Sequence, residues 1–449
     1  KFNILFHFYW INFFFIWNFV IKALEKLNYI LRSVKIKDPR SKHNGSEKDI
    51  LIENGIITAI KNKIKYNKHY VEVKIKNLNV CPGFLDLHTR IGEPGYEYRE
   101  DINSGLNAAS RGGFTGIVYM PSTKPVIQNT TDINFLKKKF EGKIIDVFPT
   151  GCITKNMDGK EITEMNDMRN EGAISFTDDL NSIENPMVMS IALEYSKDFE
   201  NPIMVTPYEL NLTKNGLINE GITSSKLGLV GMPKLSEEIR INRDIKLTEY
   251  NKGKIHFCHV STKESFDLIK KSKEKNINVT SDISAYQLIL HDEMCESFDS
   301  NLKVFPPLRP KKEINHIIRS IKNKTIDAIS SNHNPIETES KKCSFAKAKF
   351  GIIGLESTFG IVNTVLKNEI EIDEIISLLS IRPRKILNIK CPEIEIGNLA
   401  NLTLFDPEKK WIYKESDISS KSKNSPFINY EFTGKICGIF NNGQIKINN

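Results

Sequence analysis

Eight short apolar runs, separated by stretches long enough to return as helices, occupy the middle of this 449-residue chain. They span residues 80–88, 115–122, 144–153, 173–177, 202–205, 255–260, 277–283 and 326–331. Strands alternating with helix-length segments are the mark of repeated βα units and a parallel sheet. Eight such units close into a (β/α)8 TIM-type barrel of the α/β class, whose functional groups stand where the strands stop.

The ends of the chain follow another pattern. Short β runs cover residues 30–36, 50–53, 56–60 and 70–75, with the hairpin signal Asn54-Gly55 between the second and third. A matching β-rich stretch closes the chain at residues 402–405, 436–440 and 445–447. The expected organisation is a composite β-sandwich domain from residues 29–78 and 395–449 around a barrel of residues 79–394. Residues 1–28 are expected outside that fold. Residues 2–21 come near the roughly 20 apolar residues that span a bilayer, although Asn3, His7, Asn12 and Asn18 interrupt them. A foreign extension, a membrane anchor and a packed helix are all compatible with that stretch. A cleaved signal is disfavoured, because only Lys1 precedes the run and no small-residue cleavage site follows it.

Two barrel helices are legible. Pro233 followed by Leu235, Ile239, Ile241 and Leu247 predicts an amphipathic helix with proline near its first turn. Residues 261–275 predict another, capped by Ser261 or Thr262 and burying Phe266, Leu268 and Ile269. The Arg111-Gly112-Gly113-Phe114 stretch has no phosphate-loop pattern and reads as close packing at a helix end.

Charge excludes one class of partner. The 63 basic and 55 acidic residues leave a net +8 scattered through every segment, without the clustered stripe that nucleic-acid binding needs. Seven cysteines lie far apart with no CxxC pair, which argues against a disulfide framework and a cysteine zinc site, and makes the cytoplasm the default compartment.

The strand ends carry His88, Arg90, Ser122, Asp178, Asp179, Thr206, His259, Asn332 and His333. In a barrel, a ring of histidines and carboxylates commonly serves metal-assisted hydrolysis, because imidazole and carboxylate bind Zn2+ and the metal supplies hydroxide near neutral pH. Only half of this ring is of that kind. His256 alternates with His259 along one strand and is expected to face the helices. No Gly-x-Ser-x-Gly elbow and no cysteine beside a base supports nucleophilic catalysis.

In order and context the chain resembles the dihydroorotase branch of the cyclic amidohydrolase superfamily, across residues 29–449. The resemblance rests on Pro82-Gly83-Phe84-Leu85-Asp86-Leu87-His88, Glu93-Pro94-Gly95, the run from Ala108 to Gly116, Met120-Pro121, Phe176-Thr177-Asp178-Asp179 and His259-Val260-Ser261-Thr262. It continues through Pro306-Pro307-Leu308-Arg309, Ser331-Asn332-His333-Asn334-Pro335 and the run from Gly351 to Glu356. It implies a binuclear zinc enzyme of pyrimidine synthesis that interconverts carbamoyl aspartate and dihydroorotate.

Carried over residue by residue, the resemblance also implies loss. The family's His-x-His pair falls on His88 and Arg90, its metal-bridging carboxylate or carbamylated lysine on Asp179, its further histidines on Thr206 and His259, and its catalytic aspartate, also a metal ligand, on Asn332. Metal-ligand chemistry survives at His88, Asp179 and His259. The family's carboxylate-gripping arginine falls on Gly92, and other substrate positions fall on Ser122, Phe305 and Ile336. Arg90, Phe350 and Gly351 are the remaining candidates for substrate contact.

A guanidinium about 4 Å from a divalent ion, at an effective dielectric of about 20, is repelled by roughly 8 kcal/mol. Arg90 is therefore expected to pair with Asp178 or Asp179 and fill the vacated space, leaving zinc weak or absent. The resemblance accordingly implies a non-catalytic relative that keeps the fold as a partner of aspartate transcarbamoylase. The alternative is a dihydroorotase or other cyclic-amide hydrolase working with a reduced metal site. In either case self-association into a homo-oligomer is expected.

Overall fold

The structure is a computed structural model that describes residues 28–65 and 70–448. The apolar stretch of residues 2–21 lies outside the described residues, and no helix among the described residues is long and apolar enough to cross a membrane.

The chain opens with β1 (Asn28–Ile36), β2 (Glu47–Glu53), β3 (Ile56–Lys61), β4 (Tyr70–Val73) and β5 (Asn79–Pro82). The barrel strands are β6 (Phe84–Thr89), β7 (Phe114–Tyr119), β8 (Asp146–Gly151), β9 (Ser175–Phe176), β10 (Ile203–Val205), β13 (Ile255–Phe257), β14 (Val279–Ser284) and β15 (Ala328–Ser330). A small parallel pair, β11 (Ile218–Asn219) and β12 (Gly231–Met232), sits in the connection after β10. The last strands are β16 (Leu402–Ile412), β17 (Glu431–Asn441) and β18 (Gln444–Ile447).

All eight expected barrel strands form one parallel sheet in the order β15-β14-β13-β10-β9-β8-β7-β6. Its two edges meet in a parallel bridge between Thr89 and His333. Asp86 stitches that seam by accepting from the Ser331 amide at 2.6 Å and from the Ser331 hydroxyl at 2.8 Å. A helix-rich barrel with a second eight-stranded sheet built from both ends, in the order β18-β17-β16-β5-β1-β2-β3 with β4 on β1, is the architecture expected from the sequence. Its core of Leu31, Val34, Ile36, Ile50, Leu402, Leu404 and Phe440 is separate from that of the barrel.

The run expected as one strand over residues 80–88 is two. Gly83 divides it, and β5 leaves for the terminal sheet while β6 starts the barrel. A Cβ at Gly83 would lie 2.0 Å from Thr115 Oγ1 and 2.2 Å from Asn401 Oδ1, so only glycine permits this approach of the two sheets.

The helices obey their local signals, with one exception. Helix Ile102–Arg111 is opened by a reciprocal cap between Asp101 and Ser104. In helix Lys263–Glu274, Thr262 caps the Ser265 amide, and Phe266 and Ile269 are buried. Helix Leu235–Asn251 departs from expectation. Leu235 and Ile239 are 51% and 42% exposed, while Glu237, Arg240 and Asp244 are buried beside Ile241 and Ile245. The polar face wins because its partners lie beneath it. Glu237 accepts from the Ser261 and Thr262 amides at 3.0 Å, and Arg240 meets Glu184 at 2.5 Å and Glu209 at 2.8 Å.

Candidate functional site at the barrel mouth

His88 is the next-to-last residue of β6, and Arg90 follows where the strand has ended. Asp179, His259 and Asn332 sit just past β9, β13 and β15. Those three are left-handed, with φ of 51°, 57° and 50°. Such backbone costs on the order of 1–3 kcal/mol per residue outside glycine, and it turns each side chain inward over the mouth.

Arg90 organises this rim. Its Nε lies 3.0 and 2.8 Å from the two Asp179 oxygens, a terminal nitrogen lies 2.5 Å from Asp179 Oδ1, and the other donates to Asn332 Oδ1 at 2.8 Å. The expected pairing therefore falls on Asp179. Ser122 donates to the same carboxylate at 2.5 Å. Burial pushes the Asp179 pKa up, but the Arg90 guanidinium outweighs it and holds the group below its ordinary value. Asn332 is also fully used, donating to Phe305 O at 3.0 Å and to Ser284 Oγ at 3.1 Å.

Asp178 points elsewhere, accepting from the Ile153 and Thr154 amides at 2.8 and 3.0 Å. Burial pushes its carboxyl up to about 6.

A second cluster lies deeper in the barrel and was not read from the sequence. Asp282, on β14, accepts on Oδ2 from His88 Nε2 at 2.9 Å and His256 Nε2 at 3.0 Å, and on Oδ1 from the His259 amide at 2.8 Å. Burial would raise this carboxylate, yet His88, His259 and His256 hold it well below the usual range. His256 thus faces inward, contrary to expectation. Strand β13 ends at Phe257, so strict alternation cannot be carried on to His259, whose left-handed backbone brings it inward as well. The missed signal was Asp282 itself, a carboxylate inside an apolar barrel strand.

The His259 ring meets His88 edge-on at 4.2 Å, and its Nδ1 lies 3.1 Å from Ser284 Oγ. Its Nε2 is buried without a hydrogen-bond partner among the described residues. Desolvation, followed by the neighbouring His88, lowers its pKa to about 4.

The surviving ligand-type positions do not converge on a metal. His88 turns its Nε2 to Asp282, Asp179 is closed by Arg90, and His259 meets His88 edge-on. Among the described residues, the donors that do approach within 4.8 Å of one another are those of His88, His256, Cys258 and Asp282. In that group both imidazoles already contact one carboxylate oxygen, so hydrogen bonding satisfies it as it stands. These residues do not fit the two-zinc centre that the resemblance implies.

Above Arg90 opens a cavity of about 330 Å3, lined by Tyr96, Arg99, Ser122, Asp179, Lys349 and Phe350 among others. Phe350 reaches it, whereas Gly351 uses its amide on Lys303 O at 3.0 Å. Gly92 also lines the mouth, and a Cβ there would lie 2.1 Å from Tyr96 O. The position that would carry a substrate-gripping arginine therefore has no room for any side chain. His333 holds a loop, accepting from the Gly354 amide at 3.2 Å with its other nitrogen 3.4 Å from Glu100.

Comparison with known proteins places this barrel. The Dihydro-orotase-like family matches residues 78–265. A dihydroorotase from Elusimicrobium minutum is 36% identical over 429 residues, covering 94% of this chain and 98% of that protein. One from Caldicellulosiruptor saccharolyticus is 39% identical over 410 residues, covering 90% and 95%. Among solved structures, an L-hydantoinase from Arthrobacter aurescens superposes with a TM-score of 0.81 at 20% identity over 93% of this chain and 96% of its own, a likeness of fold. With identity of this order running almost end to end, the chain belongs to the dihydroorotase family.

Proposed function

We propose that this protein is a member of the de novo pyrimidine pathway, at the carbamoyl aspartate and dihydroorotate step, that has given up metal-hydroxide chemistry and acts as a non-catalytic partner of aspartate transcarbamoylase. The observation that carries this reading is the Arg90 guanidinium lying across Asp179 and Asn332. A fixed positive charge there occupies the place of the ion and repels a divalent cation. With Asn332 an amide and Gly92 closed to side chains, those two positions supply neither a carboxylate base nor a substrate-gripping arginine. Retention of packing with loss of chemistry is what a scaffold role requires.

One observation favours the second reading, a hydrolase with a reduced site: the unpartnered His259 Nε2 beside His88 is free to accept a ligand. Dihydroorotate hydrolysis with added zinc, with His88→Ala as control, separates the two. No turnover by folded protein, together with co-purification with aspartate transcarbamoylase, is the expected result. Turnover abolished by the control would establish the reduced metal site instead.

A further inference from the structure

At the opposite end of the barrel from Arg90 lies a larger cleft of about 520 Å3. Pro202, Lys254, Asn278 and Asp327, each the residue just before a barrel strand, converge on it. Its volume exceeds that of a simple ion and falls within the roughly 300–1,000 Å3 of small-molecule sites.

The charge of the cleft is uneven once partners are assigned. Asp327 is compensated from outside, by Lys273 at 2.6 Å and the Ser281 amide at 2.8 Å. Arg382 is likewise tied to Glu374 at 2.5 Å. Glu200 accepts from Asn388, a neutral partner, and so keeps its charge. The lysines remain. Lys254 donates to the carbonyls of Phe199 and Glu200 at 3.2 and 3.0 Å, which leaves one of its three protons. Lys324 and Lys385 make no ion pair among the described residues. Three lysines against the one uncompensated carboxylate of Glu200 leave the lining net positive, and a positive concave surface raises the local concentration of anions. With the one lining arginine engaged, the remaining cations are lysines, which bind phosphate as point charges. Ile255, Ile277 and Ile386 supply apolar lining for an organic body.

We propose that this cleft binds a phosphate monoester of a small organic molecule, with the phosphate among Lys254, Lys324 and Lys385 and the organic part against the isoleucines. The site is independent of the barrel mouth and of the reading given above for it.

The test is calorimetric titration of the full chain with ribose 5-phosphate, using ribose and inorganic phosphate for comparison. Ribose 5-phosphate binds, ribose does not, and inorganic phosphate binds more weakly. The double variant Lys324→Glu/Lys385→Glu, both exposed positions, weakens binding at least about tenfold, or 1.4 kcal/mol. Lys349→Ala at the mouth leaves it unchanged. Absence of binding at millimolar concentration, wild-type affinity in the double variant, or loss in Lys349→Ala would overturn the site. Equal affinity for inorganic phosphate would overturn its organic part.

Discussion

The Arg90 guanidinium and the Asp179 carboxylate form a buried ion pair between the ends of two non-adjacent barrel strands, with Nε 2.8 Å from Oδ2 and a terminal nitrogen 2.5 Å from Oδ1. Each group is enclosed, so each depends on the other for its charge to be tolerated. Replacing Arg90 with methionine leaves Asp179 charged and unpaired, and should cost about 3–5 kcal/mol of stability in urea unfolding. A loss under about 1 kcal/mol would mean that the pair does not support the mouth.

Metal removal should be silent. A bound ion at about a hundredfold excess over its dissociation constant adds about 2.7 kcal/mol of stability, enough to move a melting temperature by several degrees. Melting with and without a chelator, alongside elemental analysis, should give the same temperature and substoichiometric zinc. A drop on chelation would show that the described residues rearrange around an ion.

His259 sets a pH dependence of defined sign. Its folded pKa of about 4 lies below the unfolded value of about 6.5. Between these values the unfolded chain binds the extra proton, so this group's contribution is complete above about pH 6.5 and is lost as pH falls toward 4. The slope reaches about 1.4 kcal/mol per pH unit. Asp178, raised to about 6, acts in the opposite direction and is common to both proteins compared. Stability curves of wild type and His259→Gln should therefore converge as pH falls; parallel curves would contradict the buried neutral imidazole.

Restoring a side chain at Gly92 should fail. With Tyr96 O 2.1 Å from the new Cβ, Gly92→Ala forces the backbone apart and should destabilise by about 1–3 kcal/mol, as overpacked sites do. Gly92→Arg should neither fold better nor gain affinity for carbamoyl aspartate in a titration.

The Asp282 hub gives a further variant. Asp282→Asn keeps the size but removes the charge that organises His88 and His256, and should lower stability by about 3 kcal/mol or more. Imidazole NMR shifts of both histidines should move together, and movement of only one would show that they are not joined through this carboxylate.

Much of the barrel was legible because its signals are local. Each strand is a short apolar run, and the helix cap at Thr262 needs only a neighbour three residues away. The site was legible in what it lacks, since Arg90, Asn332 and Gly92 stand where other residue types would be needed. His256 was misjudged because alternation holds only while the strand lasts. Leu235 and Ile239 were misjudged because a buried ion network beneath the helix outweighs apolar periodicity.

The sequence alone determined the order of eight strands and the two β-rich ends, which follow from residue identity and short-range spacing, while the depletion of the mouth followed from the family resemblance. Only the tertiary structure decided that Arg90 takes Asp179 and Asn332 together, that Asp282 gathers the histidines, and that lysines from separate βα units share one cleft. Those relations join groups tens to hundreds of residues apart, and closure of the barrel is what brings them within hydrogen-bond range.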